Sequence, residues 1–407
     1  MFPVGQVLNS HLQGYDVKTV SQSDSEAKDE DEGGGVVDNA PHDAFEAACV
    51  EIEAPGPSLN RVPQNQPANA FDIGNVETDG EYLPSGQSRN LLDSQPSTCR
   101  PAKLPTPEEV RKQAKLSGIN IKNTIRPAPV RFPDLGILVK WGSDVTITEG
   151  QCLWFLHRNL SNKVPVPRIF GWTWDEGQTF LYMELVSADP LLERWDTLSS
   201  SDKSSVCEEL SGMVEAWRRL RRPRQQASKD SAWTPSEIWR WICRGFEEER
   251  TVDTPLLSQI GGAPLRDIMF QDGGQYPAGP YKSLKDFHDS FATLPYRNKN
   301  FTGPNPRETT PELDGLSDDV RVVFTHSDLD HSNILISKPN EGPVHIKAII
   351  DWHQAGWYPE HWEWLKTQSV APFGCEWVSD YLPSILPPAP HEYFRAFEYI
   401  SMGLIGG

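Results

Sequence analysis

The stretches "THSDLDHSNILIS" and "VHIKAIIDW" limit what this chain can fold into more than any other part of it. His326, Asp328, Asp330, His331 and Asn333 stand immediately ahead of Ile334, Leu335 and Ile336. Polar and charged side chains set against an apolar strand cost free energy unless something pairs with them. Two β-rich runs, residues 334–337 and 344–350, flank a Lys-Pro-Asn-Glu-Gly-Pro turn, which predicts an antiparallel hairpin. In such a hairpin the start of the first strand lies beside the end of the second, so Asn333 and Asp351 become neighbours, with Asp328 on the loop just before. Oxygen donors of this kind suit magnesium, which shares its shell with substrate phosphates. Phosphoryl transfer needs cations to offset phosphate charge and a carboxylate to take the proton of an attacking hydroxyl.

A cation for the nucleotide is then expected elsewhere. "APVRF", a Pro-Asp turn and "GILVK" read as short strands, and Lys140 ends the second of them. Glu149 opens the next run, "TITEGQCLWFLHRNL", where Leu153, Leu156 and Leu160 share one helical face. "VPVPRIFGWTWDEGQTFLYMEL" supplies a further extended pair. Ahead of these, Thr106, Pro107 and Glu109 form a capping box with proline at the first helical position, and Gly118 fits the stop. Helical patterns dominate after Pro190: "SDKSSVCEELSGMVEAWRRLRR", "PSEIWRWICRGFEEERT" and "SLKDFHDSFATL". "QIGGAPLRDIMFQDGGQYPAGPYKSL" is loop-rich. The reading is an α+β chain: an acidic, disordered region over 1–100, a small antiparallel-sheet lobe over 101–186, and a larger helical lobe over 187–407. "HDAFEAACVEIE" is a short helical candidate within the first of these.

Composition removes several alternatives. Residues 1–99 carry 17 acidic side chains against 4 basic ones, the larger part of the formal charge of −19. A sequence-independent grip on nucleic acid needs clustered Lys and Arg, so none is expected; "WRRLRRPR" reads as a solvated helix end. The six scattered cysteines never form C-x-x-C, and no stretch approaches eighteen apolar residues, which points to a cytoplasmic protein with reduced thiols and no membrane contact.

On these residues the sequence resembles the aminoglycoside phosphotransferase and choline kinase-like family, whose fold is protein kinase-like. "HSDLDHSN" matches the catalytic loop H-x-D-x-x-x-x-N, "IIDW" resembles the metal-binding element, and "LVKWG…TEGQCLWFL…VPVPRIFG…LYMEL" is similar to filamentous-fungal members. The resemblance implies a two-lobed, ATP- and magnesium-dependent phosphotransferase acting on a hydroxyl of a small molecule. Asp328 would orient the acceptor and take its proton, with His326 bracing that loop. Asn333 and Asp351 would hold magnesium. Lys140 would hold the α and β phosphates, steadied by Glu149, and the backbone of Met183, Glu184 and Leu185 would receive adenine. Cationic acceptors meet acidic pockets in the family, which makes Glu360 and Glu363 candidates here, with Trp357 and Trp362 as pocket walls. Two departures stand out: no G-x-G-x-x-G precedes "GILVK", and His353 stands where many relatives carry an acidic residue.

Other readings compete. Asp328 and Asn333 are residue types that routinely cap turns and satisfy strand entrances. "HSDLDH" resembles the H-x-H-x-D-H loop of dizinc hydrolases with Asp328 replacing the middle His, but the later candidate ligands, His345, His353 and His361, lack matching motif context. A pseudokinase that binds nucleotide without transferring phosphate is the non-enzymatic alternative.

Overall fold

Thr106 accepts the backbone N–H of Glu109, and the Glu109 carboxylate accepts the Thr106 N–H, closing the capping box that starts helix α1 (Pro107–Leu116). The box satisfies two donors that an uncapped first turn leaves orphaned. The computed structural model describes residues 83–94, 100–121, 125–223, 255–270, 278–299, 302–371 and 374–405. The helical candidates over 42–53 and 235–251, part of the loop over 259–284, and Tyr15–Asp79 lie outside the described residues.

Five antiparallel strands form the first sheet: β1 (Arg89–Asn90), β2 (Val130–Phe132), β3 (Ile137–Gly142), β4 (Ile169–Asp175) and β5 (Gln178–Glu184), in the order β1-β4-β5-β3-β2. Alternation along the strands sorts their side chains onto two faces. Phe180 and Tyr182 join Val110 and Ala114 of α1, whereas Leu181 and Met183 join Leu153 and Leu156 of helix α2 (Ile147–Leu160). Each such leucine, fully buried, contributes on the order of 2 kcal/mol. Arg111 ties α1 to the β4–β5 turn through Asp175 at 2.6 Å.

Strand β1 corrects the sequence reading, which left residues up to 100 disordered. Gly171 lets β1 approach β4: a Cβ there would stand 2.3 Å from the Arg89 carbonyl oxygen. Trp172 Nε1 donates to the Gly86 carbonyl at 2.8 Å, and Gln151 Nε2 to that of Pro84 at 2.8 Å. Both β1 side chains are exposed, so the strand has no alternation to read.

Beyond β5 come β6 (Asp189–Pro190), helix α3 (Ser200–Arg218), helix α4 (Leu284–Ala292), and then the strands around the polar cluster. These are β7 (Val322–Thr325), β8 (Ile334–Ile336), β9 (Ile346–Ile349) and β10 (Gly356–Pro359), followed by helices α5 (Trp362–Val370) and α6 (His391–Ile405). The β8–β9 hairpin pairs Ile334 with Ile349 and continues to β6, while β7 pairs with β10. In the basic run after Trp217, Arg219 and Arg221 are exposed as a solvated helix end should be, whereas Trp217 is buried, Arg218 donates to the Glu360 carbonyl at 2.9 Å and Arg222 donates to that of Leu256. Among the described residues no helix is long and apolar enough to cross a membrane.

Candidate active site

The loop from His326 to Asn333 joins β7 to β8, and its shape is set from below. Glu363, on the first turn of α5, accepts the backbone N–H groups of His326 and Ser327, each at 2.8 Å. Burial pushes the Glu363 carboxyl up to about 7, against the lowering effect of those two N–H groups. Asp267 lies beside it and accepts four donors: Ser327 Oγ at 2.5 Å, Trp362 Nε1 at 2.8 Å, Lys366 Nζ at 2.8 Å and the Met269 N–H at 2.9 Å. Asp267, Glu363 and Lys366 are all buried, so the pair and its hydrogen bonds offset the cost of desolvating the charges. Ser327 is left-handed at φ 69°, a conformation that a non-glycine residue keeps only when its surroundings hold it.

His326 is fully buried with its ring 4.5 Å from that of Trp352. Nε2 lies 2.8 Å from the Ile350 carbonyl and Nδ1 accepts the Asp328 N–H at 3.2 Å. A carbonyl only accepts, so Nε2 carries the hydrogen and the ring is neutral. Burial lowers its pKa to about 4, in spite of the Ile350 carbonyl. Asn333 Nδ2 donates to the Asp328 carbonyl at 2.8 Å, tying loop start to loop end. The Ile350 N–H donates to the Asn333 carbonyl at 3.0 Å, so the hairpin places Asn333 beside the residue preceding Asp351.

Asp351 follows β9 in a left-handed conformation, φ 62° and ψ 55°. Its Oδ1 accepts Lys140 Nζ at 2.6 Å, and Lys140 also donates to Glu149 Oε1 at 2.7 Å. Lys140 thus bridges the sheet, α2 and the hairpin. Burial opposes its charge, but Asp351 and Glu149 raise its pKa above the ordinary value. Burial likewise opposes charge on Asp351, yet Lys140, His353 and Arg126 hold its carboxyl well below the usual carboxylate range. Asp328 behaves oppositely: burial raises it, and the nearby positive groups do not fully compensate. Among the described residues, Asp328, Asp351 and His353 are the one set of His, Cys or carboxylate groups whose ligand atoms, within 4.8 Å of one another, could share an ion.

The structure therefore brings Asp328, Asn333, Asp351, Lys140, Glu149 and His326 into one cluster of hydrogen bonds and short approaches. Three sequence expectations need correction, and one rival reading falls away. The N–H groups of Glu184 and Leu185 are already spent on the carbonyls of Arg168 and Gly136, at 2.8 and 2.9 Å, so these donors do not serve adenine. Glu363 is committed to the loop backbone, and Glu360 to Arg321 at 2.6 Å, so neither offers a free acidic wall. Trp357 and Trp362 are buried in the core, Trp362 against Asp267. The dizinc constellation does not assemble either: His326 faces a carbonyl, His345 is exposed against Pro343, and His361 packs on the Tyr393 ring. Sequence reasoning missed Asp267 and Lys366, whose partners lie 60 and 99 residues away along the chain.

No family model matches the chain, and no curated protein matches it. Among solved structures, a thermostable mutant of aminoglycoside phosphotransferase APH(4)-Ia with AMP-PNP and hygromycin B is 13% identical, with a TM-score of 0.41 over 74% of this chain and 89% of that one. The apo form of such a mutant gives 13% and 0.39 over 73% and 92%. The streptomycin–ATP complex of APH(2")-IIa gives 10% and 0.34 over 65% and 76%. Likeness at this level does not decide function, which rests on the geometry above.

Proposed function

We propose that the protein is an ATP- and magnesium-dependent phosphotransferase of kinase-like, two-lobed architecture, acting on a hydroxyl group of a small molecule. One observation carries the reading: Lys140 from the sheet, paired with Glu149, meets Asp351 from the hairpin, while Asp328 stands in reach of Asp351. An ammonium group, a metal-binding carboxylate and a separate, more basic carboxylate are the three parts that phosphoryl transfer requires.

Magnesium fits the donors. Asn333 spends Nδ2 on the Asp328 carbonyl, which leaves Oδ1 for a cation, and Asp351 offers an ionised carboxylate, both hard oxygen donors. When bound, magnesium would offset negative charge on the nucleotide phosphates. Asp328 would orient the acceptor hydroxyl and take its proton. Burial raises its pKa, which makes it a better base than an ordinary aspartate. His326 holds the Asp328 backbone in place through Nδ1. Lys140 would pass from Asp351 to the α and β phosphates. Beyond the engaged N–H groups of Glu184 and Leu185, adenine would use backbone carbonyls at 183–185 or backbone further along the chain.

The test is a screen of hydroxylated small molecules with ATP and magnesium, followed by the mass of the phosphorylated product, for wild type and Asp328→Asn. Wild type is expected to turn over at least one acceptor, and Asp328→Asn to lose at least about 10²-fold in rate while still binding ATP. Wild-type rates in the variant would remove Asp328 from the chemistry. ATP binding without turnover of any acceptor would support a nucleotide-binding protein instead.

A further inference from the structure

The two departures noted in the sequence meet in space. Residues 119–135 contain no glycine, so no glycine-rich turn can bring backbone N–H groups over a nucleotide from the segment ahead of β3. That segment nonetheless lies against the end of β3. The Asp144 N–H donates to the Ile125 carbonyl at 3.0 Å, and Trp141 Nε1 donates to the Ala128 carbonyl at 3.2 Å. Gly142 makes the approach possible: a Cβ there would stand 2.3 Å from the Ile125 oxygen and 2.9 Å from Pro127 Cδ.

Arg126 sits between these two anchors, and its Nη1 lies 3.2 Å from His353 Nε2. His353 Nδ1 is 2.7 Å from Asp351 Oδ1, the same oxygen that Lys140 reaches at 2.6 Å. The carboxylate can only accept, so His353 donates through Nδ1 and presents a lone pair at Nε2 to the guanidinium. Two cations from the sheet side thus converge on Asp351, Lys140 directly and Arg126 through one imidazole. A guanidinium carries its charge at every accessible pH, and its planar fork matches phosphate oxygens in pairs.

We infer that Arg126 is a ligand for the terminal phosphates of a nucleoside triphosphate, supplying by side chain the contact that a glycine-rich turn would supply by backbone, with His353 holding it beside the site. This rests on the phosphotransferase reading and adds to it a residue for which the sequence carries no motif.

Calorimetric titration of the full chain with ATP and with adenosine, in the presence of magnesium, tests the assignment. Arg126→Gln is expected to lose at least tenfold in ATP affinity and to bind adenosine as wild type does. Arg126→Lys should recover part of the loss, because an ammonium group restores charge without the fork. Arg158→Gln, which removes the same charge from an exposed position on α2, should leave ATP affinity unchanged. Undiminished ATP affinity in Arg126→Gln, or an equal loss in Arg158→Gln, overturns the inference while the phosphotransferase reading stands. A wild-type protein that binds no ATP overturns both.

Discussion

His326 gives a pH prediction whose size follows from its surroundings. The ring is fully buried and neutral, donating to Ile350 and accepting from the Asp328 N–H. Its pKa falls from the ordinary 6.5 to about 4, mainly through burial. Between those values the unfolded chain binds a proton that the folded chain refuses. The contribution to stability is therefore complete above about pH 6.5 and is lost as pH falls toward about 4. At about 1.4 kcal/mol per tenfold change in proton affinity, the loss comes to about 3 kcal/mol. Glutamine can both donate to Ile350 and accept from Asp328, so His326→Gln keeps the bonding pattern and removes the titration. Urea unfolding of both proteins from pH 7.5 to 4 should show their stability difference shifting by about 3 kcal/mol in favour of the variant at the acid end. Glu363, raised to about 7 by burial, titrates in both proteins and cancels in the difference. A stability difference that stays constant across this range would show that His326 titrates alike in folded and unfolded chains, which refutes the reasoning.

Three further outcomes are expected. Asp267→Asn leaves Lys366 buried without its counter-charge and should destabilise the fold by about 3–5 kcal/mol in chemical denaturation, a larger effect than any exposed ion pair gives. Thr106→Ala removes the α1 cap and should cost about 1 kcal/mol, read as a lower unfolding midpoint with an unchanged slope against denaturant. Lys140→Met should weaken ATP binding and, by leaving Glu149 buried without its cation, lower the melting temperature; Lys140→Arg should restore part of the latter.

Local signals carried much of the architecture. The capping box at Thr106, the Pro-Asp turn before β3, the helical spacing of Leu153, Leu156 and Leu160, and the turn between β8 and β9 each depend on residues a few positions apart, and each forms as read. The candidate site was legible to the extent that its parts fall in short windows, as with His326 to Asn333, or at the end of a patterned strand, as with Lys140. What escaped reading is what depends on distance along the chain. Nothing near Asp267 shows that it will accept from Ser327, Trp362 and Lys366. Glu363 and Trp362 were read as pocket residues because they follow Asp351 closely, but α5 turns them under the loop. Strand β1 is set by backbone pairing to Gly171 and leaves no side-chain pattern to detect.

The buried knot of Asp267, Glu363 and Lys366 has a consequence for biosynthesis. Chains emerge from the ribosome N-terminus first, and domains complete themselves as their last segments appear. A nascent chain released as far as His353 would already carry Lys140, Asp328, Asn333 and Asp351, yet His326 and Ser327 would have no acceptor beneath them and Asp267 would face no cation. Competence should therefore arrive late in synthesis, when α5 clears the exit tunnel and slides under the loop.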